Sequence, residues 1–531
     1  MGADTLLTLL GLVLAAYVLL PAEPALHFKL RLRILDWLVL YVAVILLLYI
    51  QFHPVLSTVG LALDLGTWQW GFDPENASLL IVLVATCFVV VRARLSRVGP
   101  HNIHTFRELI DRLLNAENYS ETFRLLEENM PSVFGVYRKE FLLAKLRRKL
   151  IGDRFLWPIM KPSRAQIARR FIGERLIPSY EKPADAAADI VRRVLVYELS
   201  VSYLAKARPY LGCTVMRQSF RERDDFLNMY IRALLKDKHS ILYHELRNNQ
   251  NLASGRRYVI DDRNKLVSYL LRDVRIAESL AIWKPFGDFA LEYLDSLHQS
   301  EGTDPYNLDI GTYVDEGKGK CPLYFVLWFF DAMILEALYQ GIKWHMWLYY
   351  FPSITDRILR NLDPDPRTCD MSNEWPTPYH FLLYHIFGTL GGWIESAADQ
   401  PEGQENVAVE AEDISRDNGS IPKSAVIALG DCLRSIMVND KVHREFRSLL
   451  LSVVLRRYFD LWKNPRMHGL ARVFLESMVK GGSEFERADD LKYILNFEES
   501  LQHVDLVPYL GAHLDELRHR VRQRIGEVQH R

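Results

Sequence analysis

The residues best placed to do chemistry are His244 and Glu245, followed a short way on by Asp261 and Asp262. A His-Glu-x-x-His run on a helix holds zinc between two histidines one turn apart and uses the glutamate as a base. Here the second histidine position is Asn248, so the ligand pair is incomplete and no zinc site is expected. His239 and His244, like His380 and His385, are five residues apart, which turns them about 140° from each other on a helix. Gly311 to Lys320 imitates a phosphate loop, but five residues separate Gly311 from Gly317, and Gly319 follows Lys318. The working motif has four intervening residues and a Ser or Thr after the lysine. No Gly-x-Ser-x-Gly elbow is present, and the five cysteines, at 87, 213, 321, 369 and 432, form no Cys-x-x-Cys pair. No catalytic residue, metal or cofactor is therefore assigned. A membrane-bound enzyme of unrecognised class, with His244, Glu245, Asp261 and Asp262 as its candidates, is kept as an alternative.

Charge is the stronger signal. Arg138 to Lys182 holds thirteen basic residues against four acidic ones, a net charge of +9, in a chain whose overall net charge is −1. Phe141, Phe155, Trp157, Phe171 and Tyr180 are interleaved with them. Guanidinium forks match phosphate oxygens and aromatic faces accept stacked bases. The candidate residues for an anionic ligand or lipid are Arg147, Arg148, Lys149, Arg154, Arg164, Arg169, Arg170 and Arg175. Three readings compete: a solvated helix face paired with acids elsewhere, contact with anionic lipid head groups, or a site for a nucleotide, oligonucleotide or nucleic acid. A second basic set, Arg217, Arg221, Arg223, Arg232, Lys236 and Lys238, then Arg247, Arg256 and Arg257, could join the first in space.

The elements that must position these residues begin at an apolar end. Residues 5–22 carry no charge, 34–52 carry only Asp36, and 76–91 carry none. A spanning helix needs about 20 predominantly apolar residues, and three transmembrane helices are expected over these stretches in a membrane domain, 1–98. No Lys or Arg precedes His27, against a cleaved leader. Lys29, Arg31 and Arg33 crowd the first loop, and Arg92, Arg94 and Arg97 follow the third stretch, whereas the loop 53–77 has no Lys or Arg. The positive-inside rule puts the N-terminus outside and everything after Arg92 in the cytoplasm of an inner (plasma) membrane protein. Thr58-Val59-Gly60 lacks the Tyr-Gly that would complete a potassium filter and is read as loop.

The remainder reads as all-α. Ile103, Phe106, Leu109, Ile110, Leu113 and Leu114 recur at helical spacing, as do Ile190, Val194, Tyr197, Val201 and Leu204, and Val453, Leu455, Tyr458, Leu461 and Trp462. Tyr258-Val259-Ile260 is the best strand candidate. Seven acidic residues against one basic between Ser396 and Ser420 predict a flexible linker over 397–420. It would divide a central helical lobe, 99–396, from a C-terminal helical lobe, 421–531. Cys321 to Ile342 is almost apolar enough to span a membrane, but Asp331 and Glu336 interrupt it. A buried core helix is favoured over one lying at the bilayer surface.

In architecture alone, a short membrane anchor ahead of a large helical domain resembles the membrane effectors of bacterial immune systems. The resemblance implies a cytoplasmic domain that senses a signal and spans that oligomerise and breach the inner membrane, as an ion channel in antiviral defence. The expectation is a non-enzymatic, membrane-anchored sensor or effector, a homo-oligomer in the lipid bilayer that binds a nucleotide, an oligonucleotide or anionic lipid head groups. The alternative is a membrane-tethered interaction scaffold without a pore.

Overall fold

The structure is a computed structural model that describes residues 26, 30, 34–60, 74–95, 97–138, 182–248, 258, 260–299, 302–342, 347–364, 373–398, 420–482, 487–504 and 511–530. Among these the chain is helical, with no strand. Of the strand candidate 258–260, Val259 lies outside the described residues and Tyr258 is a single bridging residue, whose hydroxyl donates to the Asp331 carboxylate. The chain divides into two compact units, Met1–Val201 with Gln218–Glu222, and Ser202–Arg217 with Arg223–Arg531.

The first unit opens with two helices, α1 (Ile34–Thr58) and α2 (Pro74–Leu95), which pack against each other. Leu47 on α1 and Ala77 and Ser78 on α2 are buried. α1 ends where Gly60 takes a left-handed backbone (φ 74°) and its N–H bonds the Ser57 carbonyl at 3.3 Å, a common way to stop a helix. The Thr58-Val59-Gly60 triplet is thus a helix end. At the opposite end of the pair the Arg92 guanidinium donates to both oxygens of Asp36, at 2.9 and 3.0 Å.

Beyond the pair, α3 (Ile103–Asn115), α4 (Tyr119–Arg138) and α5 (Lys182–Leu195) pack as a three-helix cluster. Ile103, Phe106, Leu109, Ile110 and Leu113 are all buried in α3, as their spacing predicts. Asn102, just before α3, accepts from the Gly99 N–H and donates to the Leu30 carbonyl at 2.9 Å. The helix expected across Ile190 to Leu204 is broken. It stops at Leu195 and resumes as α6 (Glu198–Ala207), with Glu198 in the first turn, where a carboxylate suits the positive helix end. Tyr197, in the gap, is 49% exposed.

The second unit holds α7 (Pro209–Met216), α8 (Arg223–Lys236), α9 (Ile241–Asn248), α10 (Lys265–Leu271), α11 (Val274–Ser279), α12 (Trp283–Gln299), α13 (Pro322–Tyr339), α14 (Tyr350–Asn361) and α15 (Pro378–Ala398). After the acidic stretch come α16 (Ile421–Val438), α17 (Arg444–Trp462), α18 (His468–Lys480), α19 (Asp490–Gln502) and α20 (Gly511–Gln529). α13 is the central helix. Pro322 starts it without sacrificing a hydrogen bond, the Cys321 sulfur accepts from the Tyr324 N–H at 3.3 Å, and Gly341 (φ 68°) ends it. A helix apolar on all sides belongs in a core, and α13 is packed by α9, α10, α11, α12 and α15. Phe329 stacks on Phe286 with centroids 3.7 Å apart.

Two expectations meet the structure here. Helices on the two sides of the stretch expected as a linker, 397–420, pack together. α15 packs on α16 and α17, and α14 on α16, with the Arg457 guanidinium on Glu395 and His380 edge-on to Phe446 at 4.7 Å. Apolar helix faces on both sides of the acidic stretch share one core, and residues 399–419 themselves lie outside the described residues. The expected span 5–22 also lies outside them. Of the described helices, one is long and apolar enough to cross a membrane, and it is α13, with 89% of it buried. The apolar runs of the other two expected spans, Asp36–Ile50 and Asn76–Val89, are shorter.

Candidate anion-binding groove

One concavity in the second unit has a volume of about 950 Å³. Two helices supply its walls, each with one face. On α7 and the residue after it, Tyr210, Cys213, Thr214 and Arg217 recur at i, i+3, i+4 and i+7; on α10 and its following residue, Lys265, Ser268, Tyr269 and Arg272 do the same. Residues at this spacing lie one above another on a helix, and α7 packs against α10. Two stripes, each carrying a tyrosine, a hydroxyl and cationic side chains, therefore face one space. Met216, Ile276 and Leu280 add apolar surface, and Arg223, Asp262 and Asp273 complete the polar lining.

Four cations meet two carboxylates in this lining, and the carboxylates are already engaged. Asp262 holds Arg272 at 2.5 Å, and the Asp273 carboxylate accepts the Arg275 N–H at 3.1 Å, capping α11. The Arg217 guanidinium lies over the Tyr269 ring, 5.0 Å from its centroid, and the Lys265 ammonium over Tyr210 at 5.2 Å. Such contacts orient a cation without neutralising it. Among the described residues no ion pair joins Arg217, Arg223 or Lys265 to a carboxylate, in contrast to Arg232 on Glu292 or Arg357 on Asp295. Burial pushes the Cys213 thiol up to about 12, so at neutral pH it stays protonated and unsuited to nucleophilic attack or metal binding.

Glu245 has a part here that its neighbours in sequence do not suggest. Its buried carboxylate accepts the Val267 N–H at 2.8 Å, in the first turn of α10, where Asn264 provides no side-chain cap. The Tyr210 hydroxyl lies beside it. One carboxylate thus ties the α7 wall to the start of the α10 wall. Burial raises its pKa, and the Val267 and Leu266 N–H groups and the Tyr210 hydroxyl oppose that rise. The zincin-like reading finds no counterpart. His244 is exposed and its Nε2 lies 3.3 Å from the Asn248 amide, Asp261 accepts the Arg263 N–H in a tight turn at 2.8 Å, and no metal-binding cluster occurs among the described residues.

Arg147, Arg148, Lys149, Arg154, Arg164, Arg169, Arg170 and Arg175 all lie outside the described residues, as do Arg256 and Arg257. From the second basic set, Arg217 and Arg223 reach the groove. Arg232 is drawn to Glu292 at 2.5 Å, and Arg247 donates to the Tyr243 carbonyl at 3.1 Å. Sequence reasoning missed Tyr210, Lys265, Tyr269 and Arg272; the matched helical stripes are the signal that would have found them. In the imitation phosphate loop, residues 313–317 form a wide π-helical turn and 318–320 a tight 3-10 turn.

What these features define is a helical chain bearing a basic, aromatic groove. No family model matches it, and no curated protein or solved structure is significantly similar to it.

Proposed function

We propose that the chain is a membrane-anchored, non-enzymatic sensor or effector whose second unit faces the cytoplasm and binds an anionic ligand. The observation that carries the anchor is the outward apolar surface of α1 and α2. Trp37, Leu38, Tyr41, Ile45, Leu46, Val55, Leu79, Leu80, Leu83 and Val84 are all exposed, Tyr41 by 67%. An uncharged surface of that extent is costly in water and marks a membrane or partner surface.

Length and charge support the same reading. α1 has 25 residues and α2 has 22, so they run about 37 and 33 Å, against a hydrocarbon thickness of about 30 Å. The strictly apolar run of each is shorter, but charge is absent from α1 after Asp36 and from α2 between Glu75 and Arg92. The Asp36–Arg92 pair closes one end of the hairpin, the end from which Arg94 and Arg97 continue. By the positive-inside rule that end is cytoplasmic. The exposed apolar side chains of α1 and α2 also give copies a surface for oligomerisation in the bilayer, the step a channel requires.

Fractionation tests the anchor. The intact chain is expected to stay in the membrane pellet through high salt and alkaline carbonate, with a reporter fused after Arg531 reading as cytoplasmic. Release by carbonate, or a reporter on the far side, overturns the proposal. For the channel version, expression should collapse membrane potential once the activating ligand is present.

A further inference from the structure

We infer that the groove between α7 and α10 is a nucleotide site, with phosphates on Arg217, Arg223 and Lys265 and the base stacked on the tyrosine faces. The inference rests on the anion-binding reading above and names the ligand class. Three features carry it. First, Arg217, Arg223 and Lys265 line one concavity and, among the described residues, form no ion pair, and the lining as a whole holds four cations against two carboxylates. Converging cations of that kind call for a polyanion, and the forked donors of arginine match phosphate oxygens.

Second, the volume of about 950 Å³ is at the upper end of what small-molecule sites enclose, far more than inorganic phosphate needs. The groove therefore has room for a ligand with a body as well as a charged end. Third, the surface offered to that body is aromatic and apolar, from Tyr210, Tyr269, Met216, Ile276 and Leu280, with the Thr214 and Ser268 hydroxyls between. Planar rings gain by stacking on tyrosine, and hydroxyls on the walls suit a sugar. A flat ring, a hydroxylated linker and a string of phosphates make a nucleotide. The two cations already seated over the tyrosine rings, Arg217 on Tyr269 and Lys265 on Tyr210, put the phosphate and base subsites side by side. The Glu245 carboxylate holds the walls in register through Tyr210 and Val267 and acts as a positioning residue.

The test is calorimetric titration of the full chain in detergent with ATP, GTP, CTP and UTP, against sodium tripolyphosphate and the four nucleosides at the same ionic strength. At least one nucleotide should bind about tenfold tighter than both tripolyphosphate and its own nucleoside. Arg217→Ala with Arg223→Ala should remove that binding, and Tyr269→Leu should bring the nucleotide down to the tripolyphosphate level while Tyr269→Phe retains the preference. Tripolyphosphate binding as tightly as every nucleotide overturns the nucleotide assignment and leaves the anion groove standing. Absence of binding by any of the anions overturns both. The ranking within the unmodified chain decides between these outcomes even if a variant fails to fold.

Discussion

α1 and α13 are close in composition and opposite in setting. Both are long, both are rich in Leu, Val, Ile and aromatic residues, and each carries an aspartate. Nearly every side chain of α13 is buried against other helices, whereas α1 leaves Tyr41, Ile45, Leu46 and Val55 open. Hydropathy measures what a helix avoids and is silent on what covers it. The acids make the same distinction. Asp36 meets a full countercharge, Arg92, at a helix end. Asp331 is held inside by neutral donors, the Tyr258 hydroxyl and the Trp393 ring N–H, the latter at 2.7 Å.

The largest effect should come from cutting into the covered helix. Phe329→Ala removes a fully buried ring stacked on Phe286 and should cost about 4 kcal/mol of stability, read from the denaturant midpoint of the second unit's unfolding. A loss below about 1 kcal/mol would mean that α13 is not the core helix described here.

Acidity gives the next effect. Burial raises the Asp331 carboxyl to about 6, from a model-peptide value of 3.8, despite the two hydrogen bonds that favour its charge. The native state therefore holds the proton more tightly than the unfolded chain. Stability from this group is full below about pH 4 and falls as pH rises through 6, by about 3 kcal/mol at most. Burial drives His380 and His385 the other way, to about 4, so their contribution is present above pH 6.5 and lost as pH falls toward 4. Asp331→Asn removes the first slope and leaves the second. Unfolding measured from pH 4 to 8 should show the variant losing stability on acidification more steeply than the parent. Equal slopes would show that Asp331 titrates normally.

Much of the fold was legible because helical periodicity is local. Ile103 to Leu113 lie on the buried face their spacing dictates, and the acids of 321–342 correctly spoke for a core helix. What was not legible depended on partners far along the chain. Tyr258, read as a strand residue, is fixed by an aspartate 73 residues away. Glu245, read as part of a catalytic set, caps a helix 22 residues on. Arg217 and Arg223 stood out as charge, but their pairing with Lys265, Tyr210 and Tyr269 exists only once α7 lies on α10.

Two smaller effects bear on the uncovered helix. Asp36→Asn leaves Arg92 without its countercharge and should cost about 1 kcal/mol, seen as a lower unfolding midpoint in detergent; no change would show that the pair contributes nothing to the hairpin. Ile45→Ala, at a side chain 47% exposed, should shift stability by less than about 0.5 kcal/mol. A cost like that of Phe329→Ala would show that another part of the protein covers α1.

Cys87 supplies the most direct test, because it is exposed on α2 while Cys213, Cys321 and Cys432 are buried. With Cys369 replaced by serine, a charged maleimide added to open membrane fragments should leave Cys87 unlabelled until the membranes are dissolved in sodium dodecyl sulfate. Rapid labelling of Cys87 in the intact fragments would place α2 in water and contradict the account.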